Sequence, residues 1–166
     1  MNIDKYDIFT DSLVDYYFFS EGPNGKIKKQ VCFRKSGLEN YYQLSFGDVI
    51  KGNIQEDVVS DNKDTDKVLA TIMWIIIKFL QQSSFFHIRF TGLTKARNRL
   101  FNKWIEQNYN EITQYIYIYG YKRDKWEKFY PNRYYEAFLI KIKNYDTRNI
   151  NKKIYFKSLL HPAKRY

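Results

Sequence analysis

The chain is poor in the residues from which cross-links and metal sites are built. Its 166 residues include one cysteine, Cys32, and two histidines, His87 and His161. A single cysteine cannot form an intrachain disulfide, so we expect a reducing compartment. The histidines have no cysteine or carboxylate at ligand spacing, and we predict no metal site. No nucleophile stands with a base at a recognisable catalytic spacing, so hydrolase chemistry has no support.

Long apolar runs are also missing. The most hydrophobic stretch, residues 68–80, contains Lys78 and is too short to span a bilayer. Residues 1–7 have no apolar segment of the kind found in signal peptides. We therefore expect a cytoplasmic protein with no membrane partner.

Positive charge and aromatic rings are abundant instead. Lys and Arg number 28 against 18 Asp and Glu, a formal net charge of +10, and there are 16 Tyr and 13 Phe. Such charge is typical of proteins that bind nucleic acid or phosphorylated ligands. A genome rich in A/T codons would also raise the frequency of lysine, tyrosine and phenylalanine, which gives a second explanation of this composition. Half of the net charge lies in residues 144–166, so we divide the chain into one domain, residues 1–143, and a basic C-terminal tail.

Hydrophobic periodicity predicts an α/β (α+β) fold with a mixed, largely antiparallel sheet and two main helices. The predicted order is β-β-β-β-α-β-α-β-β. Strands are expected at residues 16–20, 26–35, 41–50, 57–60, 85–90, 112–121 and 134–143, and helices at 66–82 and 93–108. Residues 122–133, with Trp126, are expected to form a loop. His87 is expected to be a core residue, and Asp64 or Thr65 to cap the first helix.

Arg97 is the residue of the second helix that requires a partner. It shares a helical face with Leu93, Leu100 and Phe101. A buried guanidinium keeps its charge, so it needs a carboxylate, backbone carbonyls or a bound anion. The candidate carboxylates are Asp61, Asp64 and Glu136.

Two interpretations of Arg97 stay open. It could form a structural ion pair that ties the second helix to the loop before the first. Alternatively, Gly92, Thr94 and Arg97 could form an anion pocket at the helix N-terminus. The start of the first helix is preceded by Asp61, Asn62 and Asp64. Adjacent βα units place the N-termini of their helices at the same edge of the sheet. The second interpretation therefore predicts a polar ligand site at that edge.

A second candidate surface is basic. Lys95, Arg99 and Lys103 recur on one side of the second helix. Together with Lys122 and Arg123 they are candidates for contact with a phosphate backbone. Tyr117, Tyr119 and Trp126 would then be surfaces on which bases stack. A solvated helix face beside an aromatic sheet explains the same pattern without a ligand.

The order of elements resembles the C-terminal half of GNAT-type N-acetyltransferases, on residues 58–80 and 85–104 and the two last strands. This resemblance implies coenzyme A held at the N-terminus of the first helix. The chain departs from the pattern there, because residues 61–66 carry three carboxylates and no glycine to cradle a pyrophosphate. We therefore disfavour coenzyme A and predict no cofactor.

Several segments together resemble an uncharacterised family of small bacterial proteins, typical of Bacteroidota, known as a domain of unknown function. The segments include residues 20–25, 46–48, 57–62, 92–97, 119–120 and 135–139. The resemblance covers residues 1–143 and implies one intact intracellular domain, with the tail as an addition. The family pattern has a glycine where this chain has Lys63. No activity is implied.

Three functions follow as expectations. The first is a binding or regulatory protein, such as a toxin–antitoxin or phage-defence component, that acts on nucleic acid or a protein partner. The second is a divergent GNAT-like acyltransferase. The third is a protein-interaction module that uses exposed Tyr and Trp side chains.

Overall fold

The computed structural model describes residues 1–58 and 60–143, which form a mixed α+β fold. The strands are β1 (Phe9–Thr10), β2 (Asp15–Gly22), β3 (Gly25–Lys35), β4 (Tyr41–Ile50), β5 (Asn53–Gln55), β6 (His87–Phe90), β7 (Ile116–Lys122), β8 (Lys125–Lys128) and β9 (Ala137–Ile142). The helices are α1 (Thr65–Leu80), α2 (Lys95–Gln107) and α3 (Tyr109–Ile112). This architecture confirms the predicted fold class and, broadly, the predicted order.

The strands form one sheet in the order β1-β2-β3-β4-β6-β9-β7-β8, and β5 also pairs with β4. Strand β4 runs parallel to β6, and all other neighbours are antiparallel. Helix α1 makes the crossover that a parallel pair requires. The sheet is therefore largely antiparallel with one parallel step at its centre.

Strand alternation gives the sheet two unlike faces. On one face Phe18, Phe33, Ile88 and Ile140 are fully buried or nearly so, and they belong to the same core as the buried side of α1. We call this the helical face. The opposite face carries the other residues of each strand, and no helix of the described residues contributes to a core there. We call it the open face.

Helix α1 is buried along most of its surface, as its continuous apolar sequence predicts. Its N-cap is Asp64, one of the two predicted residues, but the carboxylate makes no capping hydrogen bond. The Asp64 carboxylate instead accepts hydrogen bonds from Ser20 and Tyr6. Asp64 is therefore the N-cap residue, as predicted, but it does not cap the helix through a side-chain hydrogen bond.

Helix α2 buries Phe101, Trp104 and Ile105, as predicted, but its buried side is rotated away from Leu93 and Leu100. Leu93 and Leu100 are 58% and 40% exposed. The buried residues are Asn98, Phe101, Asn102, Trp104 and Ile105. The two asparagines explain the rotation, because both donate to the backbone carbonyl of Tyr135. Polar bonds thus compete successfully with the burial of two leucines.

Other sequence predictions were wrong in identifiable places. Residues 57, 58 and 60 are not in a strand, and the residues that pair with β4 are those of β5. Residues 112–115 precede β7, and Ile112 lies in the short helix α3, which was missed. The predicted loop with Trp126 contains β8. Strand β8 has a lysine-rich edge sequence with no hydrophobic alternation, so its pattern gave no strand signal.

Within the described residues, no helix is long and apolar enough to cross a membrane. The same residues contain no group of three or more His, Cys, Asp and Glu that could hold a metal ion. The predicted basic tail, residues 144–166, lies outside the described part of the chain.

Candidate functional site

The Arg97 guanidinium binds backbone carbonyls. It donates to the carbonyl oxygen of Glu56 and, at 3.0 Å, to that of Val58. In the described residues no carboxylate forms an ion pair with it. Of the three expected kinds of partner, the structure supplies carbonyls, and Arg97 thereby fixes the loop before α1 to the first turn of α2.

The candidate carboxylates lie elsewhere. Asp61 forms an exposed ion pair with Lys63 at 2.8 Å. Asp64 accepts from the Ser20 hydroxyl at 2.6 Å and from the Tyr6 hydroxyl at 2.8 Å. Partial burial of Tyr6, together with this hydrogen bond, raises the pKa of its phenol. Glu136 is exposed, and its backbone carbonyl accepts from Thr91. The structure therefore does not gather these carboxylates around Arg97.

Asn62 is buried and ties the loop before α1 to the β2–β3 hairpin. Its side-chain amide donates to the Ser20 hydroxyl at 2.9 Å and to the Gly25 carbonyl at 3.0 Å. Its side-chain oxygen accepts from the backbone N–H of Asn24 at 2.9 Å. A side chain at Gly22 would clash with the backbone oxygen of Asn62. These bonds give the segment around residues 20–25 and 62 a structural role.

A buried ion pair supports the same loop. Lys29 and Asp48 are 5% and 4% exposed, and they are direct cross-strand partners in β3 and β4. The Lys29 ammonium also donates to the Ser60 hydroxyl at 2.8 Å. Sequence reasoning missed this pair, although Lys29 alternates with the apolar Val31 and Phe33 on the inward side of β3. That alternation could have predicted that the Lys29 side chain is buried.

The N-terminus of α2 is closed by its own side chains. The Thr94 hydroxyl accepts from the Arg97 N–H at 3.1 Å, and the Asn98 side chain accepts from the Gly92 N–H at 3.0 Å. A side chain at Gly92 would overlap the backbone of Asn98. Across the described residues, every buried side-chain nitrogen and oxygen has a hydrogen-bond partner. The residues of this edge are therefore engaged in holding two loops together.

The open face presents aromatic rings on its central and C-terminal strands. Tyr117 and Trp126 are 45% and 40% exposed. The register pairs Tyr121 with Trp126, and their ring centroids lie 5.2 Å apart. Tyr41 stacks on His87 with centroids 4.6 Å apart and planes 9° apart. His87 was expected in the core, but it is half-buried on the open face because odd-numbered residues of β6 point there.

Cations lie among these rings. The Lys141 ammonium is 5.4 Å from the Tyr117 ring centroid and 5.6 Å from that of Tyr119. The Arg89 guanidinium is 5.8 Å from the Trp126 ring. The open-face positions of β6, β7, β8 and β9 and of the paired start of β4 contain three cations, Arg89, Lys128 and Lys141, and no carboxylate. We call this set of positions the cationic aromatic surface.

The predicted basic stripe is separate from the rings. Lys95, Arg99 and Lys103 are exposed on α2, which packs on the helical face. Lys122 ends β7, and Arg123 lies in the turn to β8. Tyr117 and Trp126 project from the opposite face of the sheet. The cations that the structure places against the stacking rings are Arg89 and Lys141. Of the predicted cations, Lys122 and Arg123 belong to the hairpin that carries Trp126.

The open face of β1, β2 and β3 differs from the cationic aromatic surface because it carries charges of both signs. Phe9, Tyr17 and Phe19 contact one another there, and Lys28 lies 4.1 Å from the Tyr17 ring. Carboxylates accompany these rings, because Asp15 and Glu21 occupy the same side of β2. Arg34 pairs with Asp15 at 2.8 Å. Glu21 likewise pairs with Lys26 at 3.6 Å, so two of the three cations on this half of the face have a carboxylate partner.

Comparison with known proteins identifies a family. A family model described as a family of unknown function (DUF6934) matches residues 2–143. The match confirms the resemblance to a domain of unknown function and its extent along the chain. No curated protein and no solved structure matches the chain.

Proposed function

Since the chain belongs to the family DUF6934, whose function is unknown, we propose from its geometry that it binds nucleic acid on the cationic aromatic surface. The observation that carries the proposal is the juxtaposition of exposed rings with Arg89 and Lys141 on strand positions that carry no carboxylate. The nearest carboxylate shown is at the edge of the surface, where Asp124 in the turn between β7 and β8 accepts a hydrogen bond from the Tyr121 hydroxyl at 3.1 Å. Cations bind phosphates and release counterions, and exposed rings accept stacked bases. The role requires no bound metal or cofactor.

The strengths of the competing contacts support this proposal. An exposed contact between a lysine and an aromatic ring contributes about 0.5–1 kcal/mol. A base stacked on such a ring contributes about 1–3 kcal/mol. A base can therefore displace the Lys141 ammonium from the Tyr117 ring. The displaced ammonium remains next to the site and can bind the phosphate of the same nucleotide.

A toxin–antitoxin or phage-defence component that acts on nucleic acid would need such a binding surface. Binding is the part of that expectation that the arrangement of rings and cations supports. The predicted stripe on α2 offers charge without neighbouring rings. We therefore assign the contact to the sheet rather than to α2.

Fluorescence anisotropy with labelled oligonucleotides tests the proposal. Two double variants each remove two cations, Arg89→Ala with Lys141→Ala on the open face and Lys95→Ala with Arg99→Ala on α2. We expect the first to lower affinity at least about tenfold. It should also reduce the magnitude of the slope of log K against log salt by about 1.4 for a single strand or about 1.8 for a duplex, as two lost phosphate contacts require. The α2 variant is expected to bind like the wild-type protein.

A third variant controls for the charge of the tail. Lys152→Ala with Lys153→Ala removes two cations from residues 144–166 of the full chain and is expected to have little effect. Loss of binding in the α2 or tail variant alone would refute the assignment to the sheet. Absence of binding by the wild-type protein to any oligonucleotide would refute the function itself.

Acyl transfer with coenzyme A is the second candidate. The parallel pairing of β4 and β6 around α1 favours it, because the GNAT resemblance implies a strand, a helix and a strand in succession. The strand that α1 joins to β6 in this parallel pair is β4, however, and not the predicted residues 57–60. The acidic loop opposes it, since Asp61, Asp64 and Asp66 flank the start of α1, where a pyrophosphate would be held. Native mass spectrometry with coenzyme A distinguishes the candidates, since a stoichiometric complex is expected only of the acyltransferase.

A further inference from the structure

We infer that the ligand of the cationic aromatic surface is a single strand, of which about three to five unpaired nucleotides lie across β8, β7, β9, β6 and β4. This inference rests on the proposed function and specifies its ligand. Neighbouring strands are about 4.8 Å apart, so four steps from β8 to β4 span about 19 Å. Trp126 and Tyr41 are also offset by four residues along the strands, about 13 Å, so the diagonal between them is about 23 Å. At about 3.4 Å per nucleotide this diagonal holds about seven stacked nucleotides, and about three to five if the strand is splayed.

Flat ring surfaces select for unpaired bases. In a duplex the base planes are covered by their neighbours, and a protein reaches only base edges and phosphates. The surface offers the rings of Tyr117 and Trp126 on a sheet, and no described helix projects from this side to enter a groove. Its contacts therefore match the faces of bases and do not match a base-paired helix.

The surface has rings at both ends and cations between them. Trp126 and Tyr121 form a pair on β7 and β8, and Tyr41 stacks on His87 on β4 and β6. Lys141 lies on β9 between these strands and is the cross-strand partner of both His87 and Tyr117. A strand that crosses the sheet would stack a base at each end and pass its phosphates over the intervening cations.

Recognition of this kind depends little on sequence, because every base has a flat face. Direct reading of base edges uses side chains held in fixed positions, such as Arg or Lys on guanine, Asn or Gln on adenine and carboxylates on cytosine. Here Arg89 and Lys141 lie against aromatic rings. The paired start of β4 contributes Gln43, and the other four strands place no Asn, Gln, Asp or Glu on the open face. We therefore expect a ligand defined by being unpaired rather than by its sequence.

The test compares one labelled 12-nucleotide sequence as a single strand and as the annealed duplex, in the same buffer, by anisotropy. The full chain is expected to bind the single strand at least about tenfold more tightly. Tyr117→Ala and Trp126→Ala are each expected to weaken single-strand binding by about fivefold to a hundredfold. Both are expected to change duplex binding by less than about twofold. Trp126→Phe, which keeps a ring, should restore most of the single-strand affinity.

Tyr130→Ala is the matched control. Tyr130 is 47% exposed and has Arg133 beside its ring, but it lies outside the strands of the sheet. The Tyr130→Ala variant should bind the single strand with the affinity of the wild-type protein. Thermal unfolding followed by circular dichroism checks that each variant is folded, as expected for side chains that are 40% or more exposed.

The outcomes separate the two proposals. Equal or tighter binding of the duplex overturns the single-strand inference and leaves nucleic-acid binding intact. Wild-type affinity of folded Tyr117→Ala and Trp126→Ala variants for the single strand overturns the stacking geometry. Failure of the wild-type chain to bind either form refutes the proposed function and this inference with it.

Discussion

Breaking the buried ion pair of Lys29 and Asp48 should destabilise the protein strongly. Both side chains are almost completely buried, and the Lys29 ammonium also binds the Ser60 hydroxyl. Removal of one partner leaves a charge in the interior with no opposite charge. The cost in comparable buried pairs is about 3–5 kcal/mol in the free energy of unfolding. We therefore expect Asp48→Leu and Lys29→Met each to lower the free energy of unfolding by about this much.

The double variant distinguishes a charge effect from a packing effect. Lys29→Met with Asp48→Leu removes both charges and keeps apolar volume between β3 and β4. It should be much more stable than either single variant and close to the wild-type protein, because replacement of a whole buried pair is often neutral or stabilising. Urea unfolding followed by tryptophan fluorescence measures all four proteins, since the chain contains three Trp.

The expected shift is large enough to measure by heat as well. For a domain of this size about 1 kcal/mol corresponds to about 2–4 °C in Tm, so each single variant should melt at least about 6 °C lower. Losses below about 1 kcal/mol in both single variants would show that water reaches the pair. That result would refute the argument that this ion pair anchors the loop before α1.

Three further predictions concern stability and reactivity. Burial and the neighbouring Asp15 raise the pKa of the Cys32 thiol to about 12, so Ellman's reagent at pH 8 should label it only after unfolding in urea, and rapid native labelling would contradict this. Gly22→Ala should lower the free energy of unfolding, measured in urea, by at least about 2 kcal/mol, because its methyl group would clash with Asn62. Gly37→Ala, which has open space around it, should change this free energy little. Lys63 has a φ of 60°, so Lys63→Gly should raise or preserve Tm, and a fall of several degrees would count against a strained Lys63.

Local pattern predicted the regular elements well. Alternation of Tyr42, Leu44 and Phe46 predicted β4 at its exact bounds, and the apolar run predicted α1 to within two residues. The predicted strand at residues 57–60 failed because polar contacts determine that segment. Arg97 reaches Glu56 across 41 positions of sequence, and Lys29 reaches Ser60 across 31. Contacts between residues so far apart in the sequence leave no local pattern from which they could be predicted.

The candidate surface was predictable only in part. Alternation correctly placed Tyr117 and Tyr119 on the side opposite Ile116 and Ile118. The cations beside them could not be chosen from the sequence, because Lys141 follows Tyr117 by 24 residues and Arg89 precedes it by 28. The stripe on α2 was the more visible pattern, yet strand pairing assigned the rings to the other face.

Photo-crosslinking with a single-stranded oligonucleotide that carries 5-iodouridine tests the central claim most directly. The wild-type full chain is irradiated with the probe, digested and mapped by mass spectrometry, with Tyr130 and the α2 peptide as internal references. Adducts on Tyr117, Trp126 or Tyr41 are expected, and excess unlabelled single strand should suppress them. Adducts confined to residues 95–107 or to the tail, or no specific adducts at all, would contradict binding on the open face.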